Sequence, residues 1–254
     1  MLEAHLRKRL QERDLLLMTH IVMGYPSFDA CRRIVGAMVE AGVDLMELQI
    51  PFSEPIADGP VILRANQRAL ESEASVARCL RFAEDVAAEF EIPFIVMSYF
   101  NILYRYGLPE FTAALASAGI RGAIVPDLPT EEAGAYLSAM GDAGLDPIFI
   151  YSPNTPESRM REIDRHAGGF VYCVARKGVT GTRTDFSKEL ANYLARCRAA
   201  TSLPLALGFG VQERKDIDAL RGKADIAVVG TQTIRVVEEH GVDAVGDFIA
   251  SLHV

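Results

Sequence analysis

Two carboxylates stand out in this 254-residue chain because of their surroundings. Glu47 sits in the mostly apolar run Val43–Ile50. An ionised carboxylate is costly to bury among apolar groups. Glu47 therefore either pairs with a core Arg or Lys, or is a group whose protonation equilibrium is tuned for acid–base work. Asp58 follows in Pro51–Pro60, a loop stiffened by Pro51, Pro55, Pro60 and Gly59. It either caps the next helix or supplies a second site carboxylate near Glu47. A third kind of chemistry is suggested by Gly208-Phe209-Gly210 and by Gly230-Thr231, each at the end of an apolar run. Backbone N–H groups and a helix N-terminus can hold a phosphate without basic residues, and glycine allows the close approach this requires.

The elements that must position these groups follow from periodicity. Eight apolar, β-rich runs recur: Leu15–Met23, Val43–Ile50, Pro93–Ser98, Gly122–Val125, Asp146–Tyr151, Gly169–Ala175, Leu203–Leu207 and Asp225–Val229. Continuous apolar runs suit strands buried on both faces. Amphipathic segments separate them, at Phe28–Glu40, Val76–Phe90, Glu110–Ala118, Glu131–Ala143, Pro156–His166, Ser187–Ala199, Glu213–Arg221 and Thr231–Leu252, with an extra helix at Glu3–Glu12. Ser27, Thr130 and Thr155 fall where N-caps belong and Pro156 fits a first helical turn. Gly42, Gly119 and Gly144, each after an alanine, mark helix ends that feed strands.

Eightfold β–α alternation implies a parallel sheet. In a chain of this length it predicts an α/β fold, a (β/α)8 TIM barrel with an added N-terminal helix, forming one domain over residues 1–254. An open doubly wound sheet is the alternative, but no Gly-x-Gly-x-x-Gly follows the first strand. In such barrels the chemistry lies at the C-terminal strand ends and the loops after them. Glu47, Asp58 and both glycine turns fall there.

Composition excludes other classes. A net charge of −8 argues against nucleic acid and against a basic membrane-binding patch. Cys31, Cys79, Cys173 and Cys197 lack metal-site spacing and read as reduced thiols, which points to the cytoplasm. The N-terminus is charged and helical rather than signal-like, and no run reaches the ~20 apolar residues of a membrane span. The five histidines form no ligand cluster, and His20 reads as a packed core residue.

The motifs Gly24-Tyr25-Pro26-Ser27, Glu47-Leu48-x-Ile50-Pro51-Phe52-Ser53-x-Pro55-x-Ala57-Asp58-Gly59-Pro60, Ser98-Tyr99-Phe100-Asn101, Val125-Pro126-Asp127-Leu128-Pro129, Gly178-Val179-Thr180-Gly181 and Gly208-Phe209-Gly210-Val211 occur in this order on the expected loop ends. In order and spacing they resemble the tryptophan synthase α subunit family across most of the chain. The resemblance implies retro-aldol cleavage of indole-3-glycerol phosphate to indole and glyceraldehyde 3-phosphate. It makes Glu47 the general acid and base and Asp58 the carboxylate that stabilises charge at the indole N–H. Met97, Tyr99, Ile124, Ile150 and Tyr172 would line the indole pocket. Gly181, Gly208, Phe209, Gly210, Gly230 and Thr231 would hold the phosphate. Thr180, in the loop Arg176–Thr184, would orient Asp58 as that loop closes over substrate. No metal or cofactor is implied for this chain. Pyridoxal phosphate is expected in a β-subunit partner of an α2β2 complex.

Some positions depart from the family pattern. Gln49 stands where glycine is usual, on the same strand face as Glu47 by alternation. A hydrogen bond from it to ionised Glu47 would lower that pKa and weaken the acid. Glu54 replaces an aspartate in a loop that touches the β subunit. His20-Ile21-Val22-Met23 replaces aromatic and Thr-Ala types, and Thr231 keeps the hydroxyl of a usual serine. These changes leave open a second class of function, a catalytically weak regulatory subunit that binds the phosphate ligand and activates β.

Overall fold

The computed structural model describes residues 1–72, 74–175, 188–208 and 210–252. Eight strands close into a parallel barrel in sequence order, β1 (Leu16–Val22), β2 (Leu45–Gln49), β3 (Phe94–Met97), β4 (Gly122–Ile124), β5 (Asp146–Tyr151), β6 (Val171–Val174), β7 (Leu205–Gly208) and β8 (Ile226–Val229), with β8 returning to pair with β1. Around them run α1 (Leu2–Arg9), α2 (Phe28–Glu40), α3 (Pro60–Glu71), α4 (Val76–Glu89), α5 (Phe100–Tyr106), α6 (Leu108–Ser117), α7 (Gly134–Asp142), α8 (Glu157–Asp164), α9 (Lys188–Ala200), α10 (Arg214–Leu220), α11 (Thr231–His240) and α12 (Ala244–Leu252). The closed barrel agrees with the (β/α)8 expectation, and the open doubly wound sheet is excluded.

Alternation along each strand separates two cores. Met46 and Leu48 face outward, into the layer shared with α2 and α4, where Ile34, Met38, Phe82 and Val86 meet them. Leu16, Met18, Leu45, Ile95, Met97, Ile124, Ile148, Ala206, Ile226 and Val228 fill the barrel interior. Helix α1 closes the N-terminal end of that interior. Its Leu2 and Leu6 are fully buried in the same inner cluster, beside Phe170. Polar ties from the helix and the turn after it hold it there. The Leu2 N–H donates to Asp146 Oδ2 (2.9 Å), and Arg9 and Arg13 reach Asp44 (2.8 and 3.3 Å), which also accepts from the Leu17 N–H (2.9 Å).

Several local expectations need correction. The stretch Thr231–Leu252 is two helices, because Gly241 takes φ 85° after His240 and breaks the ladder. Helix α3 is the helix expected just after Asp58, although no periodic segment marked its extent, and α5 is additional. Ser27 caps α2 by accepting from the Ala30 N–H. Thr130 does not cap: α7 begins at Gly134 after Ala133, and the Thr130 hydroxyl points to Glu131. Thr155 does not cap either. Its hydroxyl accepts from the Ser152 N–H and closes a turn, and Pro156 occupies the cap position of α8 rather than its first turn. Gly42, Gly119 and Gly144 have φ of 91°, 78° and 67°, as helix-ending glycines should.

Candidate active site

On β2 the interior-facing residues are Leu45, Glu47 and Gln49, and β1 pairs with it so that His20 stands level with Glu47. Polar groups thus enter the barrel one layer above the apolar plug formed by Leu16, Met18 and Leu45. Glu47 is only 6% exposed, and its Oε2 takes no hydrogen bond from any described residue. Among the described residues no Arg or Lys pairs with it, so none of the described cations supports the ion-pair reading of this carboxylate. Burial pushes its pKa from 4.5 up to about 8, with the negative charge of Asp58 adding to the effect.

Asp58 is reached through the loop after β2, and several contacts fix that loop. The Phe52 N–H donates to Asn66 Oδ1 (2.9 Å) from α3, and the Asn66 amide donates on to the Ile62 carbonyl (2.9 Å). The Phe52 ring stacks on Tyr99, with centroids 5.1 Å apart. The Ala57 N–H donates to the Tyr99 hydroxyl (3.1 Å), which in turn donates to Asp58 Oδ2 (3.2 Å). Gly59, not Asp58, is the N-cap residue of α3, so the helix-cap reading of Asp58 fails. A second donor, Gln49 Nε2, reaches the same Oδ2 at 2.7 Å. Burial raises the pKa of Asp58 to about 6, while the Gln49 and Tyr99 hydrogen bonds hold it below where burial alone would put it.

The expectation that Gln49 would bond Glu47 is therefore overturned. The Gln49 side chain bridges His20 and Asp58, and nothing depresses the pKa of Glu47. The two carboxyls are pushed to different values by different surroundings. At neutral pH Glu47 is mostly protonated and Asp58 mostly ionised, an arrangement that divides an acid from a fixed anion.

Met97, Ile124, Ile150 and Tyr172 are brought together in the interior cluster above the plug. Tyr99 belongs to the same cluster but is fully buried, and its hydroxyl is committed to the Asp58 loop. Gly208 ends β7 beside Tyr172: a Cβ there would sit 3.0 Å from the tyrosine hydroxyl, so any larger residue would push that ring away from the strand. Gly210 has φ 76°, a conformation open to glycine. Gly230 is the N-cap of α11 and Thr231 its first residue. Strands β7 and β8 pair Gly208 with Val228, which sets the two glycine turns side by side at one mouth of the barrel. Thr180, Gly181 and Phe209 lie outside the described residues. Among the described residues no group of His, Cys, Asp and Glu has the arrangement to hold a metal ion, and no helix is long and apolar enough to cross a membrane.

Sequence reasoning missed Phe52, Asn66 and the role of His20. His20 and Gln49 were each visible as polar residues in strands that are mostly apolar. Joining them required the β1–β2 register.

Comparison with known proteins identifies the family. A family model described as tryptophan synthase alpha chain matches residues 6–249. The chain is 60% identical over 252 residues to the tryptophan synthase alpha chain of Syntrophotalea carbinolica, spanning 99% of this chain and 100% of that one. It is 61% identical to that of Desulforapulum autotrophicum over the same length, with the same coverage. Among solved structures it is similar to Mycobacterium tuberculosis tryptophan synthase, with a TM-score of 0.91 and 31% identity over 99% of this chain and 96% of that one. It is also similar to the tryptophan synthase complex of Pyrococcus furiosus, with a TM-score of 0.85 and 28% identity over 93% of this chain and 97% of that one. By the length and the identity of these matches, the chain belongs to the tryptophan synthase alpha chain family.

Proposed function

We propose that Glu47 and Asp58 carry the retro-aldol cleavage of indole-3-glycerol phosphate to indole and glyceraldehyde 3-phosphate. The chain is an enzyme of its family, and this carbon–carbon lyase step of tryptophan biosynthesis is the family's reaction. The observation that carries the assignment is the contrast between the two carboxyls. One is buried with an oxygen that takes no hydrogen bond from the described residues, and the other is held by two donors on a single oxygen.

Protonated Glu47 gives its proton to carbon 3 of the indole ring. The carboxylate left behind takes the proton of the hydroxyl adjacent to the breaking bond, so the aldehyde forms and Glu47 returns to its starting state. Protonating the ring spreads positive charge onto the indole nitrogen. Ionised Asp58 stabilises that charge where it develops. Its Oδ2 is occupied by Gln49 and Tyr99, and its Oδ1, which takes no hydrogen bond from the described residues, receives the indole N–H. Met97, Ile124, Ile150 and Tyr172 enclose the ring. The backbone at Gly208, Gly210, Gly230 and Thr231, with Gly181 and Phe209, holds the phosphate, helped by the free N–H groups at the start of α11. Thr180 orients Asp58 when its loop closes.

The chain works with a tryptophan synthase β subunit, in an α2β2 assembly in the cytoplasm. Pyridoxal phosphate belongs to the β partner. The exposed loop around Ile56 (73% exposed) suits that contact. The test is indole release from indole-3-glycerol phosphate by the purified chain, with and without β, beside Glu47→Gln. Release that increases with β and disappears in the variant is expected. Ligand binding and activation of β without any indole release would make the chain a regulatory subunit instead.

A further inference from the structure

One buried polar group in the barrel interior has no part in the chemistry above. His20 is 5% exposed, its Nε2 lies 2.7 Å from Gln49 Oε1, and its Nδ1 takes no hydrogen bond from any described residue. Its tautomer follows from the far end of the chain of hydrogen bonds. An ionised carboxylate only accepts, so the group that Gln49 turns toward Asp58 must be its NH2. The Gln49 carbonyl oxygen therefore faces His20, and it too only accepts. His20 must then carry its proton on Nε2, and Nδ1 is left as a bare lone pair. Burial holds the imidazole neutral at physiological pH, with its pKa lowered to about 4. A buried acceptor without a donor is costly in the free protein, and a ligand that supplies the donor recovers that cost.

The position of the lone pair identifies the donor. Nδ1 lies 3.5 Å from where a Cβ on Gly230 would sit, beside the turn that begins α11. The other ring nitrogen leads through Gln49 to Asp58. His20 thus stands between the anchor for the phosphate and the anchor for the indole N–H. The part of the substrate that spans those anchors is the hydroxylated three-carbon arm. Glu47 uses the hydroxyl next to the breaking bond, which leaves the hydroxyl on the middle carbon.

We propose that His20 is a substrate-binding residue whose unprotonated Nδ1 accepts a hydrogen bond from the middle hydroxyl of the glycerol arm, with Gln49 and Asp58 fixing the tautomer that makes this possible. The proposal rests on reading the chain as the indole-3-glycerol phosphate lyase, and it adds a determinant of specificity that reading does not contain.

The experiment compares kcat/KM for the natural substrate and for an analogue with hydrogen in place of the middle hydroxyl, in the complex with β, for the parent and for His20→Phe. The parent is expected to favour the natural substrate by about fivefold to tenfold, the effect of one neutral hydrogen bond. In His20→Phe that preference collapses to less than twofold, because only the natural substrate loses rate. An equal loss with both substrates, or an unchanged preference, overturns the proposal. A parent that releases no indole from either overturns the lyase reading, and the proposal falls with it. A second measurement does not depend on replacing His20. In 15N NMR of the full chain carrying Glu47→Gln, the His20 signals should show a protonated Nε2 and a bare Nδ1. The Nδ1 signal should move when natural substrate is added and stay in place with the deoxy analogue. A protonated Nδ1, or equal movement with both ligands, refutes the assignment.

Discussion

Replacing Glu47 with glutamine should separate activity from stability in a direction that depends on pH. Glu47 has a folded-state pKa raised from 4.5 to about 8. Between those values the folded chain keeps a proton on this group that the unfolded chain has released. Folding stability therefore falls as pH rises through that window, and the loss is complete above about pH 8. At about 1.4 kcal/mol per pKa unit, the full loss is about 5 kcal/mol, an upper figure for a group this deeply buried. Glutamine fills nearly the same volume and cannot ionise. Glu47→Gln should accordingly melt close to the parent near pH 5 and about 10 °C or more above it at pH 9, since 1 kcal/mol moves the midpoint of a chain this size by about 2–4 °C. Indole release should be lost at every pH. The assay is thermal unfolding followed by circular dichroism across pH 5–9, run beside the indole assay. A melting difference that stays constant with pH would show that Glu47 is not held protonated, and the assignment of the acid would fail with it.

Other perturbations probe neighbouring groups. Asp58→Asn keeps the shape but removes the anion. Turnover should fall by about 100-fold or more while inorganic phosphate still binds within a few-fold, as measured by calorimetry. Tyr99→Phe or Gln49→Gly each remove a donor that favours ionised Asp58. The acidic limb of the kcat/KM profile should then move to higher pH while the limb set by Glu47 stays in place, and movement of only the upper limb would contradict the bonding pattern. Gly208→Ala puts a methyl 3.0 Å from the Tyr172 hydroxyl and should raise KM several-fold with a smaller change in kcat. Asp44→Ala leaves two arginines and the Leu17 N–H without their carboxylate, and should lower stability by about 2–3 kcal/mol in urea unfolding without altering the pH profile of activity.

The barrel was readable from the chain because most of its strands are buried on both faces, which leaves continuous apolar runs. Glu47 was readable for the complementary reason: a carboxylate in such a run has few explanations. What sequence did not reveal depends on contacts between segments. Tyr99 appeared as a pocket wall, yet its hydroxyl ties the loop after β3 to the loop after β2, accepting from Ala57 and donating to Asp58. Gln49 was placed on the correct face but with the wrong partner. Its reach to Asp58 depends on how the proline-rich loop folds back, and that fold is set by Asn66 on a helix the periodicity did not show. Thr130 and Thr155 have the residue type of caps, but nearby loop groups compete for their hydroxyls, and local spacing alone does not decide such a competition.

The seating of α1 has a consequence for traffic. With Leu2 and Leu6 sealed into the interior beneath Met18 and Leu45, the barrel is a cup and not a pipe. Indole is small, uncharged and able to slip through apolar gaps, but its way downward is blocked by close-packed leucine. It must leave by the rim over which the substrate entered, and that rim carries the exposed loop around Ile56 that suits a partner. A short helix at the far end of the molecule thus sets the direction in which the product is handed on.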